Sequence, residues 1–110
     1  MKDILNKFRE YIYLDPWDSI KDETDTFINE LKRELNSEHF LYSKEVIVLA
    51  RREDCDDILV CYHEEKPKFA VVHLTWKQGT ENKIYPRFKL YNSWSEFWER
   101  MLNDHEEWSI

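Results

Sequence analysis

This chain of 110 residues has one glycine, three prolines and two cysteines, and each shortage excludes something. A lone glycine, Gly79, cannot build the glycine-rich loop that cradles a nucleotide phosphate, nor shape an oxyanion hole beside a strained nucleophile. Few loop formers imply short connections between long elements. Two thiols, Cys55 and Cys61, do not amount to a disulfide framework and suit a reducing, cytoplasmic setting. No apolar run approaches the ~20 residues of a membrane span. The opening MKDILNKFRE is charged at every third or fourth place and lacks the ~7 to 15 apolar residues of a secretory signal.

Aromatic and acidic side chains are abundant instead. The chain is 42% hydrophobic, with 5 Trp, 6 Tyr and 6 Phe; each ring buries ~150 to 250 Å² when packed, enough for the core of one domain over residues 1–110. The formal charge of −7 repels nucleic-acid phosphates and anionic membrane surfaces, and favours solubility or a basic partner.

Ile4, Leu5, Phe8 and Ile12 share one face of an expected helix over 2–14, which Asp15-Pro16 ends and restarts. A second helix follows to about Asn36, with an apolar stripe of Ile20, Phe27, Ile28, Leu31 and Leu35. Strands are expected at Val46–Ala50, Ile58–His63, Phe69–Trp76 and Ile84–Tyr91, separated by polar turns. Pro86 makes the last an edge strand. Ser93 and Glu96 form a capping box before a helix carrying Trp94, Phe97, Trp98 and Met101, with Trp108 in a tail that folds back. The expected fold is therefore α+β: two N-terminal helices, a four-stranded antiparallel meander, and a C-terminal helix packed on it. Helices on one face alone would leave the other sheet face and the edges open to a partner or to a second copy of the chain.

The stretches FAVVHLTW at Phe69–Trp76, YP at Tyr85-Pro86, and SWSEFWERM with DHEEW between Ser93 and Trp108 resemble a group of small bacterial proteins that are mostly uncharacterised. In size, acidity and α+β order the chain is also similar to the immunity proteins that neutralise bacterial toxins. That likeness implies a binding protein and carries over no catalytic residues.

Candidate sites divide by charge. Asp18 to Asp25 and Glu53 to Asp57 are acidic stretches; Asp22, Glu23, Asp25, Asp54, Asp56 and Asp57, with Trp76 as an aromatic anchor, are the candidate contacts for a basic protein. The bland reading, a solvated helix start and a polar turn, explains either stretch alone slightly better, since acids at a helix N-terminus are stabilising in themselves. Trp17 and Trp108 also lie at element ends, whereas Trp94 and Trp98 have the spacing of core residues. His73 is the one candidate acid/base residue, against the commoner case of a histidine satisfied by a neighbour.

Cys61, His63 and His73 are spaced too widely along a hairpin to share a zinc, so neither metal nor cofactor is expected. The acids around Cys55 raise its pKa and weaken it as a nucleophile. Tyr85, Arg87, Lys89 and Tyr91 alternate on the edge strand as a single-strand nucleic-acid binder would require, but Lys and Arg also protect edges, and the net charge weighs against nucleic acid. The leading expectation is a small acidic module that binds a basic protein and inhibits it by occlusion, in the manner of an immunity protein. The alternative is an enzyme with its site around His73 on an open sheet face.

Overall fold

A computed structural model of the chain describes residues 8, 11, 13–20, 24–76 and 86–108, with Thr24 and Asp25 described by backbone alone. The elements are β1 (Trp17–Ser19), α1 (Thr24–Glu34), β2 (Val46–Arg52), β3 (Asp57–His63), β4 (Pro67–His73), β5 (Phe88–Tyr91) and α2 (Trp94–Trp108). One antiparallel sheet runs β1-β2-β3-β4-β5. The α+β character expected from sequence is present, but the element count differs. The sheet has five strands where four were expected, and one helix, not two, is described before the meander.

The extra strand replaces the first turn of the expected second helix. Asp15-Pro16 is a cis peptide in a turn, and the chain leaves it extended: Trp17 pairs with Arg52, Asp18 with Arg51 and Ser19 with Ala50. Tertiary burial overrides the capping signal here, because extension sends Trp17 to one side of the sheet and Ile20 to the other, each almost fully buried. Of the helix expected over 2–14, only Phe8, Tyr11, Tyr13 and Leu14 are described, and the last three are in no helix.

The sheet is covered on both faces, which corrects the expectation of one open face. On one face Ile47, Leu49, Leu59, Cys61, Phe69, Val71 and Tyr91 pack with Trp17 against Phe97 and Met101 of α2. On the other, Val48, Ile58, Val60, Tyr62, Ala70, Val72 and Leu74 pack with Ile20 and Leu41 against Phe27, Leu31 and Leu35 of α1. Successive strand residues thus alternate between two cores, the pattern of a sheet buried on both sides. The α2 helix starts on the expected cap. Ser93 Oγ accepts from Glu96 N while Glu96 Oε1 accepts from Asn92 N, each at 3.3 Å, and α2 continues to an exposed Trp108, with no fold-back.

The edge strand is shorter than expected. Pro86 lies before β5, buried, its carbonyl accepting from His39 Nε2 at 2.8 Å. His39 Nδ1 accepts from Leu41 N, so Nε2 carries the proton. β4 likewise stops at His73, leaving Thr75 and Trp76 beyond the sheet. A bulge in β2 between Val48 and Ala50 adds one residue to the register against β3. Leu49 and Ala50 therefore both face α2, and the phase flips over the rest of the strand. Arg52 is sent to the α2 side beside Trp17, and Arg51 to the α1 side beside Phe27.

Candidate functional site

Chemistry concentrates at the end of the sheet where the β2–β3 turn, the end of β4 and the C-terminal half of α2 meet. A ladder of alternating charge crosses it. Asp54 accepts two bonds from Arg52, at 2.8 Å from Nε and 2.7 Å from Nη2. Arg52 Nη1 is 3.4 Å from Asp104 Oδ2. The same oxygen accepts from Trp17 Nε1 at 2.8 Å and from Arg100 Nε at 3.2 Å. Arg100 reaches on to Asp57 Oδ2 at 3.5 Å and donates to Tyr91 Oη at 3.1 Å. Asp57 Oδ1 ends the series on His73 Nδ1 at 2.7 Å.

Partial burial makes these pairs matter more than surface pairs. Burial opposes the charge on Arg52, but the bonds to Asp54 and the Asp104 charge outweigh it and raise its pKa. Arg100 is raised in the same way, with Tyr91, Asp104 and Asp57 overcoming desolvation. The Arg52 bonds hold Asp54 below the usual carboxylate range.

Two depressions flank this ladder, and Asp57 lines both. The first, about 230 Å³, is lined by Phe27, Arg51, Arg52, Glu53, Cys55, Asp56, Asp57 and Trp76. Its aromatic wall is the Phe27–Trp76 pair, edge to face at 5.8 Å. Trp76 stands there in a left-handed conformation with φ of 59°, which costs a bulky residue about 1 to 3 kcal/mol. The restraint comes from α1. The fully buried Glu34 carboxylate accepts from Thr75 N at 2.8 and 3.0 Å and from Trp76 N at 2.8 Å. Hydrogen bonds of this kind contribute about 0.5 to 1.5 kcal/mol each, and together they offset the strain.

Glu30, one turn earlier and also fully buried, hydrogen-bonds the Glu34 carboxyl. Burial first, and then this second carboxyl, raise the Glu34 pKa against the lowering effect of the two amides. A hydrogen bond between two carboxyls needs a proton on one of them.

The second depression, about 220 Å³, is lined by Asp57, Val71, His73, Arg87, Phe88, Lys89 and Arg100. His73 N donates to Arg87 O at 2.9 Å and Val71 pairs with Lys89, so His73, Arg87 and Lys89 rise from neighbouring strands on one face. The His73 side chain is 54% exposed, and its Nε2 has no partner among the described residues. Its place is the strand end beyond the cover of α2, not an open sheet face.

The residues expected from sequence are therefore divided. Asp56, Asp57 and Trp76 meet in the first depression. Asp54 turns into the Arg52 pair instead, and Asp57 is shared with His73 and Arg100. Asp22, Glu23 and the side chain of Asp25 lie outside the described residues. Trp17 is buried and is no surface anchor. Tyr85 is outside the described residues, and Tyr91 is buried with its hydroxyl on Arg100, so Tyr91 offers no face for a base to stack on.

His63 and His73 pair with Pro67 and Asp57 at opposite ends of the β3–β4 hairpin. Among the described residues no three His, Cys, Asp or Glu side chains converge as metal ligands. Cys55 is raised mainly by burial, with Asp57 and Asp54 adding to it, and Cys61 is pushed up to about 12 by burial; neither is an activated thiol. No described helix is long and apolar enough to cross a membrane.

Phe27 is expected as helix core and not as a site residue, and Glu30, Glu34, Arg52 and Arg100 are not among the candidates from sequence. Only the two glutamates had a signal, since they share the helical spacing of Phe27, Leu31 and Leu35. No family model matches the chain, and neither the curated proteins nor the solved structures contain a match.

Proposed function

We propose that this protein is a binding module for a basic protein partner, which places a lysine or arginine side chain in the depression under Trp76. The observation that carries this is the composition of that depression: two aromatic rings on one wall, the exposed carboxylates of Glu53 and Asp56 on its rim, and two lining arginines of which Arg52 is held by Asp54 and Asp104 and Arg51 lies against Phe27. Neither rim carboxylate has an ion-pair partner among the described residues. Rings attract a cation by ~0.5 to 2 kcal/mol according to its desolvation. The chain illustrates the contact itself, since the Arg51 guanidinium lies 6.0 Å from the Phe27 ring centre.

A partner seated there would cover the acidic turn and the end of the sheet, so its own basic surface would be occluded. This is the action expected of an immunity-type inhibitor, and it needs no cofactor. Charge complementarity would speed association and make it salt-sensitive. Reversing Asp54 would break the Arg52 pair as well as alter the surface. Glu53 and Asp56 are the clean positions.

The test is a titration with N-acetyl-arginine methylamide, followed by the five tryptophan indole N–H resonances. Trp76, assigned by Trp76→Phe, should shift saturably and more than the other indoles. The shift should weaken at high salt and in the Glu53→Lys, Asp56→Lys double variant. Equal small shifts at all indoles, or an unchanged response in the double variant, would contradict the proposal.

A further inference from the structure

The second depression has the opposite ligand preference. Around it stand Arg87, Lys89 and Arg100, with His73 at the end and Asp57 the only acid in the lining. The lining thus holds three cationic side chains and one carboxylate, in a chain whose total is −7. Asp57 is also occupied: one oxygen takes His73 Nδ1 at 2.7 Å and the other faces Arg100 Nη2 at 3.5 Å. Asp104, behind Arg100, holds its Nε at 3.2 Å and so fixes the guanidinium in place. Lys89 has no ion-pair partner among the described residues; its ammonium rests 5.7 Å from the Tyr91 ring centre. Val71, almost fully buried, lies opposite Lys89 between these cations.

We infer that this groove binds a small tetrahedral oxyanion of the phosphate or phosphate-monoester type. Guanidinium and ammonium groups from β5, its approach and α2 converge on one concave surface, the arrangement that recognises such an anion. The depression, about 220 Å³, has room for a phosphate group and a small substituent on it. A nucleic-acid strand would need rings to stack on, and among the described residues the rings nearby are engaged elsewhere. Tyr91 is buried beneath α2, and Phe88 packs with His39 and Phe40 at 4.6 and 5.9 Å. The inference stands apart from the basic-partner reading, since it uses other side chains and an opposite ligand charge.

Inorganic phosphate is the probe, added at constant ionic strength maintained with chloride and followed by the His73 imidazole and Val71 amide resonances. Saturable shifts with a Kd of ~1 mM are expected. Lys89→Gln and Arg87→Gln should each weaken binding about five- to tenfold, and together abolish it, while the Phe97 and Leu31 signals stay in place. Phenyl phosphate should bind at least as well as the inorganic ion. The inference is overturned if phosphate gives no saturable change, if chloride gives the same change, or if the double variant binds as the parent does. An affinity for oligothymidylate that climbs with its length would also overturn it, assigning the groove to a nucleic-acid backbone instead.

Discussion

The two faces of the sheet handle buried charge in opposite ways. On the α2 face the core is largely aromatic, with Trp17, Phe69, Trp94 and Phe97 in contact through ring pairs 5.2 to 5.5 Å apart. Its charges stand at the rim in alternating sign, from Asp54 through Arg52, Asp104 and Arg100 to Asp57. On the α1 face the core is mostly aliphatic, yet it encloses two like groups, Glu30 and Glu34. Complementary charges stabilise the first arrangement. The second depends on two backbone amides, a proton and the Arg33 contact to Glu30, so it weakens as pH rises, and it is the one that orients Trp76.

The largest effects should come from emptying either core. Phe97→Ala should cost ~3 to 5 kcal/mol and Leu31→Ala ~2 to 5 kcal/mol in denaturant unfolding, since both side chains are fully buried. A near-neutral result at either position would mean that one helix does not cover its face. Asp104→Ala comes next. It strips the shared acceptor from Trp17, Arg52 and Arg100 and should cost ~2 to 3 kcal/mol in the same assay.

The pH responses sharpen the contrast. Glu34 has a folded value above its ordinary 4.5, so the native state keeps a proton that the unfolded chain releases. Its contribution is full below 4.5 and is lost as pH rises through the raised value, with a slope of at most about 1.4 kcal/mol per pH unit. Asp54 has a folded value below its ordinary 3.8; its contribution is present above that point and lost as pH falls through the lowered value. Unfolding midpoints measured against pH should therefore lose the upper slope in Glu34→Gln and part of the acid slope in Asp54→Asn. At the small end, Arg33→Ala removes a 3.3 Å pair between Glu30 and a side chain that is 53% exposed, and should shift stability by under ~1 kcal/mol.

Much of this architecture was legible in the residues. The meander from Val46 to His73 follows from β-branched runs cut by acidic turns, and α2 from the Ser93–Glu96 cap. The double cover was present as a missed signal, because VIVLA and FAVV are apolar at consecutive positions, which a half-buried strand is not. β1 had no signal. Trp-Asp-Ser is extended only because Arg52, Arg51 and Ala50 offer an edge and the core takes the indole. The site was legible in part: Trp76, Asp56 and Asp57 were singled out, but their meeting with Phe27 depends on the Glu34 clamp. Asp54 could not be separated from Asp56 without the Arg52 contact, and the bulge that aims Arg52 has no mark in the sequence.

The most direct test of two ligand sites of opposite charge on either side of Asp57 is a double titration of one labelled sample, first with N-acetyl-arginine methylamide and then with inorganic phosphate. The guanidinium should move Trp76 and spare the His73 ring. Phosphate should then move His73 and leave the Trp76 shift in place. A single set of resonances answering to both probes, or release of the first by the second, would contradict the division of this surface into two sites.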